Sequence, residues 1–145
     1  MELKRIDYKR LNARQKENYN YQKVSAVLAD YGFVTIRLSD DWNGADFLAL
    51  HTDGATLRVQ LKPRLYFSKS YVSKDLWVCF PLRNDWYLYP HDEILEKCLA
   101  EISFGTTESW VTDGKYSFGR PSRKLLELLS DYRIADAGVP SLDVS

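Results

Sequence analysis

Along residues 12–31 the apolar positions recur at helical spacing: Tyr21, Val24, Leu28 and Tyr31 fall on one stripe, Val27 lies beside it, and Glu17 heads it. Asn12 and Gln15 fit a capping box at the start, and Gly32 fits the residue just past a helix C-terminus. Beyond Gly32 the period shortens. Residues 33–38 (FVTIRL) are β-branched and aromatic and predict a strand, and residues 39–44 (SDDWNG) read as a turn. Residues 45–50 are apolar apart from Asp46, as in a strand buried on both faces. Residues 55–62 alternate, with Ala55, Leu57, Val59 and Leu61 on one side and Thr56, Arg58, Gln60 and Lys62 on the other.

The turn between these two strands decides which side chains meet. A two-residue Asp53-Gly54 loop would set Asp46 opposite Leu61, with its carboxylate on an apolar face. A three-residue Thr52-Asp53-Gly54 loop, with Gly54 left-handed, sets Asp46 opposite Gln60. The second solution keeps the apolar side of both strands together, and it is the one expected.

Downstream, Pro63 ends the second strand or puts it at an edge, and residues 64–74 read as a polar, aromatic loop over the hairpin. Residues 76–81 (LWVCFP) and 86–89 (WYLY) predict strands around a turn at 83–85. A helix is expected from 90–92 to about Ile102, with Ile94, Leu95, Cys98 and Leu99 inward. Two extended pieces, SWV and KYSF, flank Thr112-Asp113-Gly114, and a last helix over 121–132 packs through Leu125, Leu126, Leu128 and Leu129. Residues 135–145 are small and polar and read as a poorly ordered tail. This order predicts an α/β (α+β) three-layer domain over residues 1–134, a mixed central sheet flanked by helices.

Composition narrows the function. The chain is 45% hydrophobic and 28% charged, which is globular, and its zero net charge argues against coating nucleic acid by bulk charge. Locally the picture differs, because residues 54–74 hold no acid while Arg58, Lys62, Arg64, Lys69 and Lys74 are present. Cys79 and Cys98 stand far apart, without metal spacing, as buried thiols of a reduced compartment. The N-terminus carries no leader-like apolar run and no stretch is apolar enough to span a membrane, so a cytoplasmic location is expected.

Asp46 on one strand, followed by Gln60-Leu61-Lys62 on the next and preceded by a helix bearing Glu17, resembles the PD-(D/E)xK nuclease superfamily. The stretch is also similar to a family of small bacterial proteins. The resemblance runs from Asn12 to about Tyr89 and implies a restriction-endonuclease-like fold and hydrolysis of DNA phosphodiester bonds. Two positions depart from the pattern: Gln60 stands where an acid is usual, replacing a negative ligand by a neutral oxygen, and Ala45 stands where proline is usual.

Such chemistry needs a divalent ion, Mg²⁺ or Mn²⁺, held by oxygen ligands. Asp46 would be the principal ligand, with the Gln60 amide oxygen and the Leu61 carbonyl beside it. The resemblance implies that Glu17 acts through a water. Lys62 would stabilise developing charge. Arg58, Arg64 and Lys69 would hold flanking backbone, and Trp42 is the aromatic residue placed to touch substrate. A two-fold dimer would suit cleavage of both strands.

Plainer readings stand beside this one. Asp46 can cap the turn after Asn43-Gly44 or form a structural pair with Lys62, since an acid in a buried strand needs a partner. Glu17 can be a solvated acid near the positive end of its helix. The whole chain can be a non-catalytic nucleic-acid-binding or assembly protein that keeps the nuclease fold. His51 and His91 lack partners at zinc spacing and read as surface or capping residues, and no Gly-rich phosphate loop or Ser-His-Asp arrangement is present.

Overall fold

The computed structural model describes residues 1–42 and 44–135, without the side chains of Asp41 and Trp42. The contact expected of Trp42 and residues 136–145 of the expected tail therefore lie outside the described residues, while Ala135, expected to begin that tail, ends a strand.

Helix α1 (Ala13–Asp30) begins where the sequence places it. The Asn12 side chain accepts the Gln15 N–H while the Gln15 side chain accepts the Asn12 N–H, which completes the capping box. Gly32, at φ +85°, turns the chain into β1 (Phe33–Trp42), followed by β2 (Ala45–His51) and β3 (Thr56–Leu61). Then come β4 (Leu65–Ser68), β5 (Leu76–Leu82), β6 (Asp85–Pro90), α2 (His91–Glu101), β7 (Lys115–Phe118), α3 (Arg123–Leu128) and β8 (Arg133–Ala135). Six strands form one mixed sheet in the order β1-β2-β3-β5-β6-β8, parallel only between β3 and β5, while β4 and β7 pair as a separate antiparallel ribbon.

Because successive side chains of a strand point to opposite faces, the sheet carries two cores. On one face Val24, Val27 and Leu28 of α1 pack against Phe47, Ala49, Val59 and Cys79. On the other, Val78, Phe80, Tyr87 and Tyr89 meet Leu65 and Phe67 of the ribbon, Ile94, Leu95 and Cys98 of α2, and Leu125 of α3. The result is an α/β fold in three layers, a mixed central sheet flanked by helices. Among the described residues none of β1, β2 or β3 joins the second core. Val34 and Ile36 are accordingly 68% and 49% exposed, and β2 is buried at alternate residues rather than on both faces.

The hairpin has the expected register. The His51 N–H donates to the Ala55 carbonyl at 2.8 Å, the Gly54 N–H donates to the His51 carbonyl at 3.0 Å, and Gly54 sits at φ +99°. Phe47 faces Val59 and Leu48 faces Arg58, so the next step of the ladder brings Asp46 opposite Gln60. Gly44, at φ +88°, precedes β2, where a β-carbon would lie 2.8 Å from the Leu76 side chain.

Several expectations are corrected. β1 continues through Ser39, Asp40, Asp41 and Trp42, which read as a turn, because the strand absorbs them in a bulge against β2. Residues 64–74 are not a loop: Leu65 and Phe67 are fully buried in β4, and a 3-10 turn, Lys69–Tyr71, follows. β3 lies between β2 and β5, so Pro63 ends an interior strand. The SWV segment is a π-helical turn, Ser109–Asp113, that buries Trp110. The last helix is shorter than expected, gives way to a 3-10 turn at Ser130–Tyr132, and leads into β8. Leu99 of α2 is 41% exposed rather than inward.

Candidate functional site

The ladder opens on both sides of Asp46. Towards β1, Arg37 pairs with Phe47 and Trp42 with Ala45, so residues 38–41 bulge opposite Asp46 alone. Such a bulge leaves its own extra residues out of the ladder and bends its strand. Towards β3, the Asp46 carboxylate accepts the Leu61 N–H at 2.8 Å, which ties it to the strand bearing Gln60 and Lys62. Charge-assisted bonds of this kind are stronger than neutral ones and fix the carboxylate's orientation.

Asp46, Gln60, Leu61, Lys62 and Glu17 line one cleft of about 400 Å³ between the end of β3 and the first turns of α1. Gln60 also carries a side-chain oxygen that is buried without a hydrogen-bond donor. An amide oxygen in that state is costly unless something electropositive meets it. Lys62 hangs its ammonium 4.5 Å from the centre of the Tyr66 ring, and its backbone N–H donates to the Cys79 carbonyl at 2.8 Å. Glu17 is exposed on the second turn of α1 and lies 3.7 Å from the Arg37 guanidinium. At that distance and exposure the pair contributes little to stability.

A second cleft of about 820 Å³ shares Ala13, Glu17 and Asp46 with the first and extends under the β1 bulge past Arg14, Asn18, Arg37 and Asp40. Arg37 is held by the Asn18 side-chain oxygen and by the Tyr21 ring, 5.1 Å from its centre.

The basic residues expected to grip nucleic acid are placed otherwise. Arg58, Arg64 and Lys69 line neither cleft. Arg58 lies 3.5 Å from the Asp75 carboxylate, Lys69 lies 5.2 Å from the Trp110 ring, and Arg64 is exposed just beyond Pro63. The cations that line the clefts are Arg14, Lys16 and Arg37 together with Lys62, and the first three escape a reading of the sequence. One signal could have found Lys16: Ala13, Lys16, Glu17 and Asn20 stand at i, i+3, i+4 and i+7, a polar stripe around Glu17 on one side of α1.

The donor set suits a hard divalent cation. Two carboxylates and a buried amide oxygen are the ligand type that Mg²⁺ takes, usually with several waters retained. Among the described residues no three His, Cys, Asp or Glu side chains converge, so a metal here would rest on the two carboxylates together with neutral oxygens. His51 caps the α1–β1 junction through the Tyr31 carbonyl at 3.0 Å, and His91, the first residue of α2, is fully buried rather than at the surface. Burial raises both thiols, Cys98 to about 11 and Cys79 further, so neither is a nucleophile near neutral pH. Among the described residues no helix is long and apolar enough to cross a membrane.

No protein-family model and no curated protein matches the chain. Among solved structures it is similar to Hjc, a Holliday junction resolvase from Archaeoglobus fulgidus, an archaeal hyperthermophile. The identity is 20% and the TM-score 0.39, over 48% of this chain and 74% of that one. A likeness at that level leaves the chemistry of the site to be argued from the residues that build it.

Proposed function

We propose that this chain is a divalent-metal-dependent, nuclease-like protein of the PD-(D/E)xK type that hydrolyses phosphodiester bonds of DNA. The observation that carries the reading is the Gln60 oxygen, buried and without a donor, on a residue that lines the same cleft as Asp46 and Glu17. A bound Mg²⁺ or Mn²⁺ would neutralise the phosphate and lower the pKa of a water.

Asp46 and Gln60 would hold that ion with help from the Leu61 carbonyl, and Glu17 would orient a water toward it. Lys62 supplies a positive charge where negative charge develops on the phosphoryl oxygens. Its ring contact with Tyr66 keeps that charge from wandering. Arg14, Lys16 and Arg37, which line the clefts, would hold the flanking backbone in place of Arg58, Arg64 and Lys69.

The test is incubation of supercoiled plasmid and single-stranded DNA with wild type, Asp46→Ala and Lys62→Ala in Mg²⁺ or Mn²⁺. Wild type should cut and both variants should not. Equal cutting by wild type and Lys62→Ala under both metals defeats the enzymatic reading. A second reading, a nucleic-acid-binding or assembly protein that does not cleave, is favoured by the neutral Gln60 amide, which leaves the cleft two carboxylates. Salt-sensitive DNA binding without cleavage would select it.

A further inference from the structure

The two clefts meet at Asp46 and Glu17 and form one groove along the first turns of α1. Four cations line it, Arg14 and Arg37 in one arm and Lys16 and Lys62 in the other, against the carboxylates of Glu17, Asp40 and Asp46. The charges nearly cancel, so the groove alone gives a polyanion little attraction. A divalent ion at the crossing would tip the balance towards the phosphates.

The Lys16 and Lys62 arm carries an aromatic residue. Tyr8 lies in the 3-10 turn Tyr8–Arg10, lines this arm, and is 37% exposed. It is not a loose side chain. Asn20 donates to its hydroxyl at 3.0 Å, the Tyr19 ring stands 5.2 Å away, and the Lys16 ammonium lies 5.5 Å from its centre. A plate fixed in this way can stack a nucleobase, and only an unpaired base reaches such a plate. Duplex binding through the backbone calls instead for a broad positive face. This chain has zero net charge and no such face in the groove.

We infer that the groove takes single-stranded DNA, a free strand or an unpaired tail, with one base stacked on Tyr8 and the adjoining phosphates passing Lys16 and Lys62 toward Asp46. The inference deepens the nuclease reading and rests on it for the path past Asp46. The strand's affinity depends on the divalent ion as well as on the ring.

The test is fluorescence anisotropy of the full chain with a labelled oligonucleotide, single-stranded or as a blunt duplex of the same sequence. Ca²⁺, which takes the same oxygen ligands, and EDTA are the two conditions. In Ca²⁺ the single strand should bind about tenfold or more tighter than the duplex, and EDTA should weaken it severalfold. Tyr8→Ala should lose roughly fivefold or more, the equivalent of one stacked base, while Tyr8→Trp should hold wild-type affinity. Circular dichroism and the melting temperature of each variant establish that it is folded. Equal or tighter duplex binding overturns the proposal, as does unchanged single-strand affinity in folded Tyr8→Ala. The two readings fail separately. Single-strand preference and Tyr8 dependence without any cleavage uphold this inference and defeat the nuclease. Cleavage of duplex with no effect of Tyr8→Ala does the reverse.

Discussion

The Leu61 backbone N–H donates to the Asp46 carboxylate at 2.8 Å, across the two strands of the hairpin. This bond holds the acid of one strand against the Gln-x-Lys segment of the other. With the β1 bulge on its other side, Asp46 is anchored to β3 while its surroundings stay open as a cleft. The same carboxylate is therefore both a structural acceptor and the first candidate ligand, and substitutions can separate the two roles.

Asp46→Asn keeps an oxygen for the Leu61 N–H and loses the charge. Its melting temperature in EDTA should stay within a few degrees of wild type, but added Mn²⁺ should no longer raise it. Asp46→Ala also strands the Leu61 N–H and should cost about 1–2 kcal/mol of stability in EDTA. Cleavage should vanish in both. Thermal melts with and without Mn²⁺ distinguish them, and a full Mn²⁺ shift in Asp46→Asn would remove Asp46 as a ligand.

The orphaned Gln60 oxygen makes a prediction of the opposite sign. Gln60→Met has similar length and no buried oxygen, so in EDTA it should be more stable than wild type by about 1 kcal/mol. It should also lose most of the Mn²⁺-induced shift, as expected where stability is given up for a site. Gln60→Glu puts a third carboxylate beside Asp46 and Glu17. It should melt lower in EDTA, gain more from Mn²⁺, and cut faster. A Gln60→Met protein that melts lower in EDTA and keeps its Mn²⁺ response would show that the amide serves packing instead.

How far the sequence discloses this site depends on the range of the interactions. The hairpin register is legible because it is local: three loop residues and one left-handed glycine decide it. The helix cap is legible for the same reason. The bulge of β1 is not, because Ser39-Asp40-Asp41 are residues that turns and bulges use alike, and only pairing with β2 selects between them. β4 escapes because Leu65 and Phe67 are two apolar positions in a short segment between Arg64 and Lys69, and their burial comes from β7, α2 and α3 far along the chain. Arg14 and Arg37 join the cleft only once α1 docks over β1 and β2, which no local pattern announces.

Tyr66 is expected to act through Lys62. The ammonium over the ring gains about 0.5–1 kcal/mol at a partly exposed site. Tyr66→Leu should therefore slow cleavage roughly two- to fivefold, chiefly in kcat, and Tyr66→Phe should not. The backbone should hold in both, because the Tyr89 hydroxyl donates to the Tyr66 carbonyl at 2.6 Å and accepts its N–H at 3.2 Å. Equal rates for the Leu and Phe variants would separate the ring from the reaction.

His91 gives the fold a pH dependence that can be read apart from catalysis. Its ring is fully buried; Nε2 accepts the Ser68 N–H at 3.0 Å, so the proton sits on Nδ1, which donates to Asp92 at 2.8 Å. The other Asp92 oxygen accepts the Ser73 N–H at 2.8 Å, so the pair clasps both ends of the Lys69–Tyr71 turn to α2. The rings of Tyr71 and Phe67 lie 5.3 and 5.8 Å from it. Burial lowers the imidazole pKa, and Asp92 opposes the shift through its hydrogen bond and its charge. Protonation would put a hydrogen on Nε2 and displace the Ser68 donor. With the folded pKa below the unfolded one, the unfolded chain binds more protons between the two values. The contribution of His91 is thus fully present above about pH 6.5 and is lost as pH falls below it, levelling off under the folded pKa. Asp92→Asn removes the opposing charge, lowers the folded pKa further, and should deepen the loss as pH falls below about 6.5. His91→Gln should melt lower at neutral pH, with a flatter profile across that range. Melting temperatures of the three proteins in EDTA decide the matter, and a His91→Gln profile parallel to wild type would place the titrating group elsewhere.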